Sequence, residues 1–344
     1  MSSEGRLRLA LYNTRAAVIL WFAGVRDALC VWRCIEFFVH DPRILRKTGE
    51  CFGLNGLIFL GSILLWDYGL SPGMQWLLRA VGSTAGAEYI LACLQAVYIL
   101  LWLLPVYCIS FALSCVWYQE LAELAMRWLQ SHAAAAGDAA GERAGAKEAA
   151  GGSPLMVQMA HEVYRVVLFG VFYLQVSLLG YLPYIGKGLY LILVSWLYAL
   201  YSFDYRWGLS RKHLQQRVAF FQQHWAFFLG FGCVCTIATC SWPFFKQAAI
   251  MNMAYPLFIL VACKSDPLKA YKEVAQHEKA AGRSLTHPPL PIFSAATWMT
   301  SFILQNFYCT LQVPGMLAQH RWKVAAVAAA AVLACVLHTL SVHL

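Results

Sequence analysis

The sequence predicts an all-α, multi-pass helical membrane protein with about six to eight membrane-embedded helices, and three observations support that class. Of the 344 residues, 60% are apolar and only 12% are charged, whereas a soluble domain carries about 25% charged residues. The mean hydropathy is +0.57. Apolar residues are also grouped into runs of the roughly 20 residues that cross a hydrocarbon core about 30 Å thick. A water-soluble protein of this size could not bury so much apolar surface.

The first apolar stretch, residues 16–40, differs from a spanning helix in its charge content. It holds four charged residues, Arg26, Asp27, Arg33 and Glu36. Each would cost about 2.5–3.5 kcal/mol at the centre of a spanning helix. At helical spacing one face is apolar, consisting of Val18, Trp21, Phe22, Val25, Leu29 and Trp32. We therefore predict an N-terminal amphipathic helix that lies in the membrane interface. The alternative is a tilted span whose charges pair inside a bundle.

Longer apolar segments follow, and most of them have the length of a membrane span. Five such segments are 51–70, 88–114, 156–182, 186–207 and 225–245. The shorter segment 247–262 follows a Trp-Pro pair and predicts the second arm of a re-entrant hairpin, which is tolerated where protein buries its irregular backbone. Whether it crosses the bilayer is left open. Two further candidates are 291–313 and the Ala-rich 322–344.

The order of these segments predicts the organisation of the chain. Residues 131–153 consist of Ala, Gly and scattered charges, which is typical of a disordered linker. The predicted regions are a cytosolic N-terminus with the amphipathic helix (1–50), a first membrane pair with an amphipathic exit (51–130), the linker (131–153), a second membrane bundle with the hairpin (154–263), a cytosolic basic loop (264–290) and C-terminal apolar segments (291–344).

The distribution of basic residues predicts the orientation of the chain. If residues 1–50 are cytosolic and the spans alternate, 20 of the 26 Lys and Arg residues fall on the cytosolic side. This bias is the usual topology signal, and it also predicts contact with anionic lipid headgroups. The cations lie in short clusters between apolar runs, and no nucleic-acid-binding motif is present, so we expect no nucleic-acid partner.

The sequence contains no pattern that indicates catalysis. Walker, Rossmann, HExxH and GxSxG motifs and a paired CxxC are all missing from it. Most of the 12 cysteines lie in apolar stretches, where buried thiols are expected. We therefore predict no enzymatic activity, no catalytic residues, no cofactor and no metal.

Two stretches have an unusual local character. In residues 100–128, Pro105 interrupts an apolar run, which requires a neighbouring group to satisfy the carbonyl that loses its helical partner. The chain then leaves the membrane through Trp117 into an amphipathic segment with Gln119 and Glu120. A kinked span with an aromatic anchor at the interface is the simplest interpretation.

The second stretch, residues 198–232, combines an aromatic belt with charges at the end of a span. Asp204 lies near Arg206, the closest opposite charge in the sequence, and Arg217 belongs to the basic face that follows. The belt predicts contact with anionic headgroups. The alternatives are a buried ion pair that joins helices and an anion-attracting vestibule. Gly230 and Gly232 would permit the close approach of two helices or a re-entrant turn.

At these stretches the chain resembles the etoposide-induced protein 2.4 family, which is related to the bacterial CysZ sulfate permeases. The resemblance covers roughly residues 16–262 and is carried by Cys51-Phe-Gly-Leu-Asn55, Leu104-Pro105, Trp117-Tyr-Gln-Glu-Leu-Ala-Glu-Leu-Ala125, Tyr198-Ala-Leu-Tyr-Ser-Phe-Asp-Tyr-Arg-Trp207, His224-Trp225, Gly230-Phe-Gly232 and Pro256-Leu-Phe-Ile259. The candidate functional residues are Pro105, Trp117, Gln119, Glu120, Tyr201, Phe203, Asp204, Tyr205, Arg206, Trp207, Trp225, Gly230, Gly232 and Pro256.

The resemblance implies a non-enzymatic, multi-pass protein of the endoplasmic reticulum membrane that supports macroautophagy at the step where autophagosomes mature and fuse. It also implies membrane or autophagy proteins as partners, and self-association is left open. The alternative function is a CysZ-like permease for sulfate or another anion. In that case helix N-termini and a few cations would line a path at the re-entrant hairpin.

Overall fold

The computed structural model describes the backbone of residues 3–80, 84–135, 155–209, 214–280 and 288–312. In these residues the chain forms eleven helices and no strands. They are α1 (Ser3–Leu29), α2 (Arg33–His40), α3 (Pro42–Ala80), α4 (84–135), α5 (Leu155–Leu179), α6 (Gly186–Leu209), α7 (Leu214–Gln223), α8 (Trp225–Thr239), α9 (Phe244–Lys264), α10 (Pro267–Ala280) and α11 (Ser294–Gln312). The all-α class predicted from the sequence is confirmed.

Two helices begin at an Asp-Pro pair, a local sequence signal that fixes where they start. At α3 the Asp41 carboxylate accepts a hydrogen bond of 3.0 Å from the backbone N–H of Arg43. At α10 the Asp266 carboxylate accepts bonds of 3.1 Å from the N–H groups of Leu268 and Lys269. Proline suits the first helical position because its missing N–H would have no partner there.

Three helical stretches in the described residues are long and apolar enough to cross a membrane. These are Pro42–Ala80, Glu88–His132 and Phe244–Lys264. A fourth crossing results if α7 and α8, which meet at 92°, form one broken span. The multi-pass prediction is therefore confirmed. The 21-residue α9 extends the predicted short arm 247–262 at both ends, which gives it the length of a full crossing.

The remaining predicted segments coincide with helices, although their apolar content varies. Segment 156–182 corresponds to α5, 186–207 to α6 and 291–313 to α11. Within α5, Val167–Leu179 is a shorter apolar helix. The predicted segment 322–344, most of the linker 131–153 and the basic residues Arg211 and Lys212 lie outside the described residues. Linker residues 131–135 continue α4.

The chain divides into two compact units. The first unit consists of residues 1–30, 136–238 and 265–344, and the second consists of 31–135 and 239–264. The three long apolar stretches all belong to the second unit. The first unit contains the bent pair α7–α8 together with α1, α5, α6, α10 and α11.

The predicted amphipathic helix proves to be two helices, because the chain turns at residues 30–32 between α1 and α2. On α1 the predicted apolar face points away from the protein, and Phe22 is 61% exposed. The opposite face, with the fully buried Ala16 and Ala28, packs inside the first unit. An outward apolar face is what a helix in contact with lipid requires.

Candidate functional site

In the first unit, the candidate residues cluster at the end of α6, where a buried ion pair joins α6 to α7. Arg217 Nη1 lies 2.7 Å from Asp204 Oδ1. Only 11% of the arginine side chain and 4% of the aspartate side chain are exposed. The sequence placed Arg206 closest to Asp204, but the ion pair uses Arg217, one helix later. Of the interpretations left open, the geometry favours a buried pair that joins two helices.

Arg206 has a different partner in the same unit. Its guanidinium donates a hydrogen bond to the backbone carbonyl of Ser265, just before the Asp266 cap of α10. Arg206 therefore ties the end of α6 to the beginning of α10. A guanidinium is suited to such a contact because its donors are fixed in one plane and remain charged.

The aromatic candidates divide between a buried cluster and a hydroxyl pair. The fully buried Phe203 packs against Trp207, Phe228 and Phe231, with ring centroids 5.0–5.6 Å apart. One turn apart on α6, the Tyr205 hydroxyl donates a hydrogen bond of 2.8 Å to that of Tyr201. Both Trp207 and Tyr205 are buried. The predicted belt consists of Tyr198, Tyr201, Tyr205 and Trp207, and its last two members form core, whereas the sequence pattern predicted headgroup contact.

The two candidate glycines of α8 lie where backbones touch. A Cβ atom added at Gly230 would lie 1.9 Å from the carbonyl oxygen of Trp21 on α1. One added at Gly232 would lie 1.7 Å from the carbonyl oxygen of Ser195 on α6. Gly24 on α1 meets the carbonyl oxygen of Phe227 at 2.0 Å in the same way. Thus α8 is held between α1 and α6 at distances that only glycine allows.

Polar side chains reinforce the contact between α6 and α8. The Ser195 hydroxyl donates a hydrogen bond of 2.9 Å to the hydroxyl of Thr236. The indole N–H of Trp196 donates a bond of 3.0 Å to the backbone carbonyl of Trp225. That carbonyl lies in the first turn of α8, just after the bend. Trp225 therefore helps to position the bend through its backbone.

In the second unit, Trp117, Gln119 and Glu120 lie in the C-terminal half of α4. Lys47 of α3 lies 2.8 Å from the Glu120 carboxylate and 6.0 Å from the Trp117 ring centroid. The Gln119 amide donates a hydrogen bond of 3.2 Å to Glu123 on the next turn. The candidate residues therefore join α4 to α3 by a partly exposed ion pair.

A second ion pair of this unit lies at the end of α9. The Lys264 ammonium donates a hydrogen bond to the Glu36 carboxylate of α2, and this contact holds the pKa of Glu36 below its ordinary value. The same ammonium lies 5.7 Å from the Phe37 ring centroid and 5.8 Å from that of Trp128. Lys264 therefore connects three helices of the second unit.

The two candidate prolines interrupt helices in different ways. Pro105 lies two residues after the end of a π-helical turn, Ile99–Leu103, in which the regular hydrogen-bond pattern is already altered. Pro256 lies inside α9 and deprives the carbonyl of Asn252 of its helical N–H partner. The Tyr118 hydroxyl donates a hydrogen bond of 2.8 Å to that carbonyl. The sequence analysis required such a neighbour at Pro105, and the structure shows one at Pro256.

A buried polar network was missed as a site, although its asparagine lies within a motif quoted above. The fully buried Asn55 donates hydrogen bonds of 3.0 Å to the Ser114 hydroxyl and the Cys51 carbonyl. Its amide oxygen accepts a bond from Ser110. The serines are four residues apart on α4, so they share one face. That spacing is the signal that could have identified the network, which joins α3 to α4.

These arrangements bind helices to one another, and each charged candidate is engaged with protein atoms. No group of three or more His, Cys, Asp or Glu residues in the described ranges has the arrangement of a metal site. The ten cysteines whose side chains are described are free thiols. The candidate site is thus a set of interhelical contacts, one set in each unit.

Comparison with known proteins gives a match over most of the chain. The family model described as "Sulfate transporter CysZ/Etoposide-induced protein 2.4" matches residues 30–250. The curated "Protein EI24 homolog" of Arabidopsis thaliana is 32% identical over 313 residues, which cover 86% of this chain and 97% of the relative. The protein of the same name from Dictyostelium discoideum is 29% identical over 252 residues, or 73% of this chain and 75% of the relative.

No solved structure matches the chain. The family match includes the interhelical contacts whose residues lie between 30 and 250, among them the Asp204–Arg217 ion pair. The chain belongs to the etoposide-induced protein 2.4 family, whose model also includes the CysZ sulfate transporters.

Proposed function

We propose that this protein is a non-enzymatic, multi-pass protein of the endoplasmic reticulum membrane that supports macroautophagy at the maturation and fusion of autophagosomes. The observation that carries the proposal is the match to a eukaryotic EI24 homolog over 97% of that relative's length. The autophagy role is the one that the family resemblance implies, and the near-full-length match supports proposing it for the chain as a whole.

The burial of the Asp204–Arg217 ion pair supports a scaffold role over a role in a solute pathway. The Asp204 side chain is 4% exposed and lies 2.7 Å from Arg217. The surrounding protein shields this ion pair from water. Because the guanidinium of Arg217 is already paired with Asp204, it is not available to bind a passing anion. Partner contacts are then expected on exposed surfaces, with membrane or autophagy proteins and anionic headgroups as the partners.

Autophagic flux in cells that lack the protein tests the role directly. Turnover of a lipidated autophagosome marker is compared with and without inhibition of the lysosome or vacuole. We expect a block that the intact chain relieves, with autophagosomes accumulating before fusion. Unchanged flux in the null cells would reject the autophagy role.

The location is tested separately, by fractionation and imaging of the tagged chain expressed at its native level. Co-fractionation with an endoplasmic reticulum marker is expected under both fed and starved conditions. Steady-state residence in another membrane, with flux still blocked in the null cells, would reject the location and retain the autophagy role.

A second function, transport of sulfate or another anion, is favoured by one observation. The bend of 92° between α7 and α8 has the geometry of a broken span or a re-entrant loop, and the family model carries the CysZ name. Broken helices provide anion sites in transporters because their N-terminal N–H groups are free to bind. Uptake of labelled sulfate into liposomes that contain the purified protein tests this function, and uptake equal to that of empty liposomes would reject it.

A further inference from the structure

A groove of about 500 Å³ opens in the first unit between α5, α7 and α11. This volume lies within the range of about 300–1,000 Å³ that is typical of small-molecule sites. Apolar lining comes from Leu168 of α5, Val218 of α7 and Trp298 of α11. Hydrogen-bonding groups come from Gln222 and Ser301 in the same groove.

The charge of the lining restricts what the groove can accept. In the described part of the chain, every lining side chain is uncharged at neutral pH, and the polar groups of the lining are hydroxyls, carboxamides and the indole N–H of Trp298. A phosphate or sulfate group is recognised by cations or by clustered N–H donors. This lining instead suits a molecule that is largely apolar and ends in hydroxyl, ester or amide groups.

The bend between α7 and α8 places the groove relative to the bilayer. Two helices that meet at 92° cannot both run along the bilayer normal. The α8 segment has no charged residue, whereas α7 contains Arg217 and four glutamines. The apolar α8 is thus suited to the hydrocarbon core and α7 to the interface. A groove against α7 then lies at the depth of the polar ends of membrane lipids.

We propose that the groove between α5, α7 and α11 binds a membrane lipid whose polar end is uncharged and carries a hydroxyl group. Sterols and diacylglycerols share this chemistry. Leu168, Val218 and Trp298 contact the apolar body, and Gln222 and Ser301 bind the polar end. This site goes beyond the proposed role in autophagy and does not depend on it.

Photocrosslinking of the full-length protein in phosphatidylcholine vesicles tests the site. Four probes are used separately, namely photoactivatable forms of a sterol, a diacylglycerol, phosphatidic acid and phosphatidylserine. We expect one of the uncharged probes to label peptides of α5, α7 or α11 at least fivefold more strongly than either anionic probe does. The sterol and diacylglycerol arms identify which lipid is bound.

Two tryptophan substitutions on one helix form a matched pair. Ala219→Trp fills the groove, whereas Gln216→Trp lies on the same helix at an exposed position outside the lining. Labelling is expected to fall at least fivefold in the first variant and to stay unchanged in the second. Ser301→Trp closes the groove from α11 and replaces the first variant if that protein is not monodisperse.

Three results would overturn the proposal. The first is labelling of the intact protein that maps outside α5, α7 and α11, and the second is equal labelling by the anionic probes. The third is equal labelling of the groove-filling and control variants. The first two need only the intact chain, so a variant that fails to fold does not prevent a decision.

Discussion

The hydroxyl of Tyr118 donates a hydrogen bond of 2.8 Å to the carbonyl of Asn252, the group that Pro256 leaves without a helical partner. Tyr118 lies on α4 and Asn252 on α9, and the two residues are 134 positions apart in the sequence. A proline inside an apolar helix is therefore tolerated because another helix supplies the missing donor. In hydrocarbon such compensation is required, since water is not available to satisfy the carbonyl.

Tyr118→Phe is expected to lower the stability of the protein by about 1 kcal/mol, because one buried hydrogen bond is lost and a carbonyl stays unsatisfied. Thermal unfolding of the purified protein in detergent measures the change. Tyr89→Phe removes a hydroxyl from an exposed tyrosine of α4 and serves as the matched control. In a Pro256→Ala background the carbonyl regains its helical donor, so the effect of Tyr118→Phe should shrink. An effect of equal size in both backgrounds would refute the compensation.

Removal of one partner of the Asp204–Arg217 pair is expected to destabilise the first unit. Asp204→Ala and Arg217→Ala each remove one charge of a buried ion pair, at a cost of about 3–5 kcal/mol. Protein abundance in cells should fall for both, while Arg79→Ala, at an exposed arginine, should leave it unchanged. The double variant with Asp204→Leu and Arg217→Met removes both charges and should recover much of the abundance.

Arg206→Ala should also reduce abundance, because the donor to the Ser265 carbonyl is lost. The effect is expected to be smaller than at Asp204, since the group left unsatisfied is neutral. Normal abundance with lost autophagic flux, for either residue, would contradict a purely structural role and place the residue in a working site.

Glycine substitutions in α8 test the close packing of this helix. Gly230→Ala and Gly232→Ala each place a methyl group within 2 Å of a backbone oxygen, so the helices must separate. We expect a large loss of folded protein, measured as the monodisperse fraction in size-exclusion chromatography. Gly170→Ala and Gly188→Ala are matched controls because a Cβ atom at either position meets nothing within 4 Å. Alanine is the better helix former, so helix propensity alone would cause no loss, and equal losses at all four glycines would contradict the close-packing explanation.

The thiol of Cys34 should be unreactive in the folded protein. Burial raises its pKa to about 12, with a further contribution from Cys263 that outweighs the opposing effect of Lys264. Maleimide reacts with the thiolate, so at pH 7–9 a variant that retains only Cys34 should label slowly until it is unfolded in detergent. Val39→Cys in a cysteine-free background gives the control, because Val39 is 72% exposed on the same helix. Similar labelling rates at the two positions would show that Cys34 is not buried.

Local features of the fold could be predicted from the sequence, whereas partners distant in the sequence could not. The predicted segment 186–207 lies within two residues of α6, Gly186–Leu209, because apolar runs are a property of consecutive residues. Asp204 was also identified by its local context, and Pro256 by the family resemblance. Their partners were not, since Arg217 and Tyr118 reach them only through the way the helices pack. Gly24 was missed for the same reason, because its role depends on the backbone of α8.

The orientation of the chain can be decided by where sugar is added to inserted acceptor sites. Twenty of the 26 Lys and Arg residues fall on the side assigned to the cytosol, which includes residues 115–153 and 264–290. N-glycosylation takes place on the opposite, lumenal side, so acceptors placed on flexible spacers near residues 140 and 275 should stay unmodified. An acceptor inserted in the same way near residue 83, between the first two predicted spans, should be modified. Sugar at position 140 or 275 would reverse the orientation, since the basic regions would then face the lumen.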